Sequence, residues 1–302
     1  MLHIKTLDEG LEIFKALGSD VRIQFIKTLL KNNGLNMNEL ASALNISNSA
    51  LTGHIKKLEE CGLVTVTNES SGHGNHKKCM CHLDKILIEM NTKEDLANTF
   101  EIDIKVGHYS DYQVYPTAEA LIGEVDDPRY FAHPDRLKSD ILWFTKGYVE
   151  YIIPNLLPPK NKIDQITISA ELGSEAPGSN DVWPSDIHFY INNRFIGYWT
   201  SPGDFGSVKG IFTPKWWHPN WNQFGILKLI MINNDGTFID GLKISDVSLK
   251  DLDLDFRSPI KFKLAVPDNA KHVGGLTIYG RNFGNYNQDI KVRINYSPIE
   301  ED

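Results

Sequence analysis

The reading of the fold turns on Ile46-Ser-Asn-Ser-Ala-Leu-Thr-Gly-His-Ile-Lys-Lys-Leu-Glu-Glu-Cys-Gly-Leu-Val64. Ser47 suits an N-cap, because its hydroxyl can accept an orphan amide proton of a first helical turn. Leu51, Ile55 and Leu58 recur at helical spacing and mark one apolar face. The opposite face carries Asn48, Ser49, Thr52, His54, Lys56 and Lys57, small or cationic groups with almost no carboxylate. Gly62 follows the last periodic residue, where a left-handed C-cap is wanted. A short helix with an uncharged, donor-rich N-terminal face is what a DNA major groove accepts. An ordinary surface helix could look the same, so its neighbours decide.

Upstream, Leu7–Leu17 reads as a helix with Leu11, Ile13, Phe14 and Leu17 inward. Gly18-Ser19-Asp20 breaks it, and Val21–Lys31 follows, burying Val21, Phe25, Ile26 and Leu29. Asn32-Asn33-Gly34 is a turn signal. Asn38 is placed to cap a further helix, Glu39–Leu44, with Leu40, Ala41 and Leu44 inward. Downstream, Leu63–Asn68 and Lys77–Leu83 read as two short strands. They are joined by Glu69-Ser-Ser-Gly-His-Gly-Asn-His76, which has two glycines and no apolar residue. Helices ending in the opening stretch and then a two-stranded ribbon give the order of a winged helix-turn-helix. Gly53 is out of place in a helix, costing ~1 kcal/mol relative to Ala. Close approach of DNA, or of another helix, would account for it.

These residues resemble the ArsR-type bacterial transcriptional regulators. The likeness rests on Ala16-Leu-Gly-x-x-x-Arg22, Met37-Asn-Glu-Leu-Ala41 and Ser47-x-Ser-Ala-Leu-Thr-x-His-Ile-x-x-Leu-x-x-x-Gly-Leu-Val64, spread over roughly the first ninety residues. The resemblance implies base contacts from Asn48, Ser49, Thr52 and His54, with Ser47 at the cap and Lys56 and Lys57 towards phosphate. It implies a wing contributing Asn75, Lys77 and Lys78. Many members of that family sense metals through cysteines on the helix before the recognition helix. Here Glu39–Leu44 offers no soft ligand. A separate set, His73, His76, Cys79, Cys81 and His82, could suit zinc, but its spacing matches no two-residue-gap knuckle. Buried packing is the stronger reading of the two cysteines, and no metal or other cofactor is expected.

Net charge is −8, yet Met1–Asn91 holds ten basic and ten acidic residues, so the excess falls on the remainder. Phosphate contacts from a balanced domain are modest per monomer, so useful DNA affinity calls for a homodimer. Only three cysteines occur, all in the first third. That fits a reducing cytoplasm better than a secreted disulfide scaffold. No apolar run approaches the ~20 residues needed to span a bilayer, and no secretory signal is visible at the N-terminus.

Two domains are expected, 1–92 and 93–302, the second opening with a linking helix over Leu83–Asn98. From about Phe100 the texture changes to strands separated by Gly, Pro, Asn and Asp: Ile102–Gly107, Ile163–Leu172, Ile187–Ile191, Phe195–Thr200, Gly225–Asn233, Leu242–Leu249, Ile260–Val266, Leu276–Tyr279 and Ile290–Tyr296. Asn192-Asn193 and Asn234-Asp235-Gly236 are hairpin signals. Thr117–Tyr151 is less regular, with a short helical run around Leu137–Phe144. The fold class is therefore α+β: a winged helix-turn-helix followed by an antiparallel β-sandwich of jelly-roll type. The whole chain resembles bacterial regulators that join an ArsR-like reader to a carbohydrate-module-like sandwich.

Five of the six tryptophans lie between residues 183 and 221. Trp183, Trp216, Trp217 and Trp221 sit in loop-like sequence with Asp186, His188, Asp204 and His218 near them. Aromatic faces stack on sugar rings, and short carboxylates bind hydroxyls in pairs, so these eight residues are candidates for a small-ligand site. Buried core is the competing reading, and Trp199 fits it better. The tract Gly274–Tyr286 is a second Gly/Asn/aromatic segment that could meet them. No nucleophile elbow, phosphate loop or zinc-protease motif appears, and an enzyme is not expected. The expected function is sequence-specific binding of double-stranded DNA by a dimeric repressor responding to a small effector, for which a mono- or oligosaccharide is the suggested chemistry. A metal-responsive repressor and a sugar-binding or sugar-processing protein are the alternatives.

Overall fold

The computed structural model describes residues 2–71, 74–81, 83, 85–90, 97–119, 122–255 and 257–299. The chain divides into two compact units, Met1–Ala97 and Asn98–Asp302.

In the first unit, β1 (Leu2–Ile4) precedes α1 (Leu7–Leu17), α2 (Asp20–Lys31), β2 (Leu35–Asn36), α3 (Met37–Leu44) and α4 (Asn48–Glu60). Then come β3 (Thr65–Ser71), β4 (Gly74–Met80) and β5 (Ile86–Ile88). Phe25, Leu29, Leu40, Leu51 and Leu58 are wholly buried and form one core with Cys79 and Cys81. Each such side chain contributes about 1.5–3 kcal/mol by leaving water. β3 and β4 form an antiparallel hairpin in register from Thr65↔Met80 to Ser71↔Gly74, so pairing runs further into the 69–76 segment than its composition suggested. β2 adds a third strand against β4. This is a winged helix-turn-helix.

Several details differ from expectation. Asn36, not Asn38, caps α3. Its side chain accepts from the Asn38 and Glu39 amides while Glu39 reaches back to the Asn36 amide, a closed capping box. Leu11 and Phe14 are about half exposed, while Ile13 is buried as expected, together with Gly10 and Ala16. The linking helix is not formed where it can be checked. Ile86–Ile88 is a strand paired in parallel with Leu2–Ile4, and residues 91–96 lie outside the described set. Its β-branched Ile86 and Ile88 favour extended backbone over helix.

The second unit is an antiparallel β-sandwich folded from twelve strands: β6 (Thr99–Ile104), β7 (Asp111–Glu119), β8 (Ile141–Ile153), β9 (Asn161–Gly173), β10 (Ser185–Ile191), β11 (Arg194–Ser201), β12 (Ile226–Asn233), β13 (Gly236–Ile239), β14 (Leu242–Ser245), β15 (Ile260–Val266), β16 (Leu276–Tyr279) and β17 (Ile290–Pro298). The hydrogen-bonded order is β11-β10-β15-β8-β16-β9-β12-β13-β14, with β7 on β8 and β17 joining β9 to β6. Asn192 and Asn193, both at positive φ, turn β10 into β11, as the Asn-Asn pair implied. The stretch read as helical around Leu137–Phe144 is a 3₁₀ turn, Pro134–Lys138, followed directly by β8. Ile141, Leu142, Trp143 and Phe144 are all buried, so that segment shows no helical or alternating period.

Candidate functional site

α4 is held as a rigid rod with one face offered to solvent. At its N-terminus the Ser47 hydroxyl accepts from the Ala50 amide at 3.2 Å. At its C-terminus Gly62, at φ +69°, donates to Glu59 and Leu63 donates to Leu58, both at 2.9 Å, which is a Schellman cap. Leu51, Ile55 and Leu58 seat the helix in the core. Asn48, Ser49, Thr52, Lys56 and Lys57 are exposed and His54 is half-buried. The Asn48 amide donates to the Asn38 side chain at 2.9 Å and Thr52 donates to the Asn48 carbonyl, so the first turn is braced against α3. Lys56 stands 3.8 Å from Glu60. An open polar cleft of about 500 Å³ lies between the helices, lined in part by Asn38, Ser42, Asn45, Ser47 and Asn48. Asn45, left-handed at φ 52°, makes the tight turn that sets α4 after α3. Arg22 clamps the end of α1, donating to the Ala16 and Lys15 carbonyls.

On the wing, Lys77 is exposed and Lys78 half-buried, while of Asn75 and His76 only the backbone is described. Cys79 and Cys81 are core residues. Burial, with Glu59 adding to it, pushes the Cys79 thiol up to about 11, and burial raises Cys81. Protonated, enclosed thiols are poor metal ligands. His73 and His82 lie outside the described residues, and no group of three metal-binding side chains occurs among those described.

In the sandwich, the eight candidate ligand residues fall in three places. Trp217 is core: its indole donates to the Asn222 carbonyl at 2.8 Å, and it packs with Trp143, Tyr279 and Phe283. Trp216, Trp221 and Phe283 extend that cluster, and His218 lies over Trp221 at 5.6 Å. The Gly274–Tyr286 tract thus meets the tryptophans, as anticipated, through Phe283. Asp186 and His188 lie apart on β10. Asp186 is buried, and although burial raises it, bonds from Thr200 and His272 hold it below the ordinary carboxylate range. His188 stacks with Phe195 and Tyr198. Trp183 is partly exposed on the loop before β10.

Only Asp204 and Trp221 of the eight line the same cavity, a space of about 340 Å³ completed by Trp143, Glu175, Asn222 and others. Trp143 and Glu175 were not foreseen. Trp143 lies outside the tryptophan-rich window, and Glu175 carries no motif. Burial pushes both Glu175 and Asp204 up to about 7. Glu171 on β9 is enclosed and accepts from the Gly225, Asn285 and Tyr286 amides at 2.9–3.1 Å.

Fold and site define a winged helix-turn-helix DNA-binding domain followed in the same chain by a β-sandwich. Residues 21–65 match the family model described as winged helix-turn-helix DNA-binding. Similar solved structures include reduced HlyU from Vibrio cholerae, 28% identical, covering 26% of this chain and 76% of that one with a TM-score of 0.23. A possible transcriptional regulator from Methanosarcina mazei is 17% identical, covering 24% of this chain and 64% of that one, with a TM-score of 0.22. The carbohydrate-binding module CBM36, in complex with calcium and xylotriose, is 9% identical, covering 66% and 99%, with a TM-score of 0.28. No curated protein matches the chain. No helix among the described residues is long and apolar enough to cross a membrane.

Proposed function

We propose that the chain is a dimeric transcriptional regulator of ArsR-like type, a repressor whose sandwich binds a small effector. The observation that carries the DNA-reading half is α4: an exposed, carboxylate-free first turn of Asn48, Ser49 and Thr52, anchored by a buried reverse face. Amide and hydroxyl groups in that position read base edges, while Lys56, Lys57 and Lys77 neutralise phosphates. Gel shifts at stated salt against DNA upstream of the gene test it. Asn48→Ala should relax sequence preference, and Lys56→Ala should weaken all sites alike and flatten the salt dependence by about one unit of slope. Identical effects from both, or binding indifferent to sequence, would overturn the assignment.

Dimerisation is supported by α1, where Leu7, Leu11 and Phe14 are 39–50% exposed at i, i+4 and i+7. An apolar helical stripe of this kind, on a domain with balanced charge, fits a second copy. Leu11→Glu should convert a dimer to a monomer in light scattering and weaken operator binding at least tenfold; a wild-type monomer at micromolar concentration would refute the pairing. The aromatic cavity around Trp221 and Asp204 supports an effector site, with a carbohydrate as one candidate ligand. Thermal-shift screening with mono- and oligosaccharides checks that chemistry.

A further inference from the structure

The cavity in the sandwich is unbalanced in charge. Asp126, Glu175 and Asp204 line it, with Trp143, Trp221 and Asn222, and no lysine, arginine or histidine does so among the described residues. Asp204 is 1% exposed; its Oδ2 accepts from the Ala176 amide at 3.0 Å, and its buried Oδ1 has no hydrogen-bond partner. Neither Glu175 nor Asp204 has an ion-pair partner among the described residues. Trp143 and Trp221 lie 6.5 Å apart at 60°, presenting two indoles beside the two acids.

A desolvated carboxyl pair next to aromatic rings is an environment that a positive charge relieves. The carboxylates supply ion pairing and the rings supply cation–π attraction. A neutral sugar can hydrogen-bond to the acids but does not offset the cost of ionising them in this enclosed place. A single metal ion is a poor fit to a space of about 340 Å³ in which no three carboxylates or imidazoles are grouped for coordination. We propose that this cavity binds a small organic cation, an alkylammonium whose N–H groups are shared by Glu175 and Asp204 and whose carbon chain lies against Trp143 and Trp221. Its role as the effector rests on the ligand-responsive reading above; the binding itself does not.

The charges acting on the pair are all acidic. Asp126 faces Glu175, Glu175 and Asp181 face Asp204, and Tyr279, close to Asp204, is kept neutral by burial. Both acids stand at about 7 when the cavity holds no cation. A bound ammonium holds them ionised, so below that pH binding must expel protons. Affinity should therefore rise with pH, about tenfold per unit for each proton expelled, and level off above pH 8.

Calorimetry on the full chain with butylammonium and 1,4-diaminobutane, at pH 6 and 7.5, tests this, with calcium chloride and xylose as comparison ligands. At least one ammonium should bind, tenfold or more tightly at pH 7.5, with proton release that scales with buffer ionisation. Glu175→Gln and Asp204→Asn should each weaken it tenfold or more. If Asp204→Asn fails to fold, half-buried Glu175 decides the matter alone. Absence of ammonium binding, binding equal in wild type and Glu175→Gln, or binding of calcium alone overturns the proposal. Binding of xylose alone also overturns it, while leaving the ligand-responsive reading in place.

Discussion

Gly53 stands on the exposed side of α4, and a Cβ built there meets no heavy atom within 4 Å outside its own helix. Packing against another helix therefore does not explain it. Gly53→Ala should raise stability by ~1 kcal/mol in chemical melts. If DNA approaches that backbone, the same change weakens operator binding; a variant both more stable and equally good at binding would remove Gly53 from the interface. Gly62 is the opposite case: its Cβ also has space, but φ is +69°, so Gly62→Ala should cost about 1–2 kcal/mol through backbone strain alone. Ser47 and Gly62 were legible because capping chemistry is local. The choice of Asn36 over Asn38 was equally open to reading, since a capping box needs Glu39 three residues after the cap. Leu11 and Phe14 were not legible, because a helical stripe of apolar residues looks the same whether the chain itself or another copy covers it.

At the scale of elements, periodicity found nine strands of the sandwich and missed β7, β8 and β13. β8 was hidden by the unbroken burial of its first four residues, and β13 by its four-residue length directly after the Asn234-Asp235 turn. What escaped most completely was charge carried inward. Lys228 on β12 and Asp240, just after β13, form an ion pair of 2.5 Å with side chains 5% and 3% exposed, and Lys228 also lies over the Trp199 ring. A single sequence assigns such residues to the surface, since a buried charge depends on a partner that strand register alone brings close. Asp240→Asn leaves the ammonium enclosed without its counter-charge and should cost about 3–5 kcal/mol in urea melts. Adding Lys228→Met should restore most of that, because the substituted carboxamide keeps an acceptor for the Leu229 amide and an asparagine tolerates the positive φ at that position. A double variant as unstable as the single one would mean the loss comes from packing, not from the orphaned charge.

Across the whole molecule, the two units should answer differently to pH. The sandwich holds carboxyls raised by burial: Glu171 to about 8, Glu175 and Asp204 to about 7, and Asp289 in the same direction. In the unfolded chain such groups titrate near ~4. Between those limits the folded state binds more protons than the unfolded one, so stability is greatest on the acid side and is lost as pH rises through 7–8. Each group takes away up to about 1.4 kcal/mol per pH unit within its window. Asp186 works in the other direction: held below the ordinary range, it contributes stability above pH ~4 that is lost only in stronger acid. Every carboxyl raised by burial among the described residues lies in the sandwich, none in the winged-helix unit. Two melting transitions are therefore expected, with the sandwich transition falling as pH rises from 5.5 towards 8 and the winged-helix transition free of this carboxyl contribution. Glu175→Gln and Asp204→Asn should shallow the sandwich slope, because each removes one proton from the folded-state excess. A wild-type sandwich slope already as shallow as that of those variants would mean that Glu175 and Asp204 are ionised in the folded protein, compensated by a cation the isolated chain carries with it.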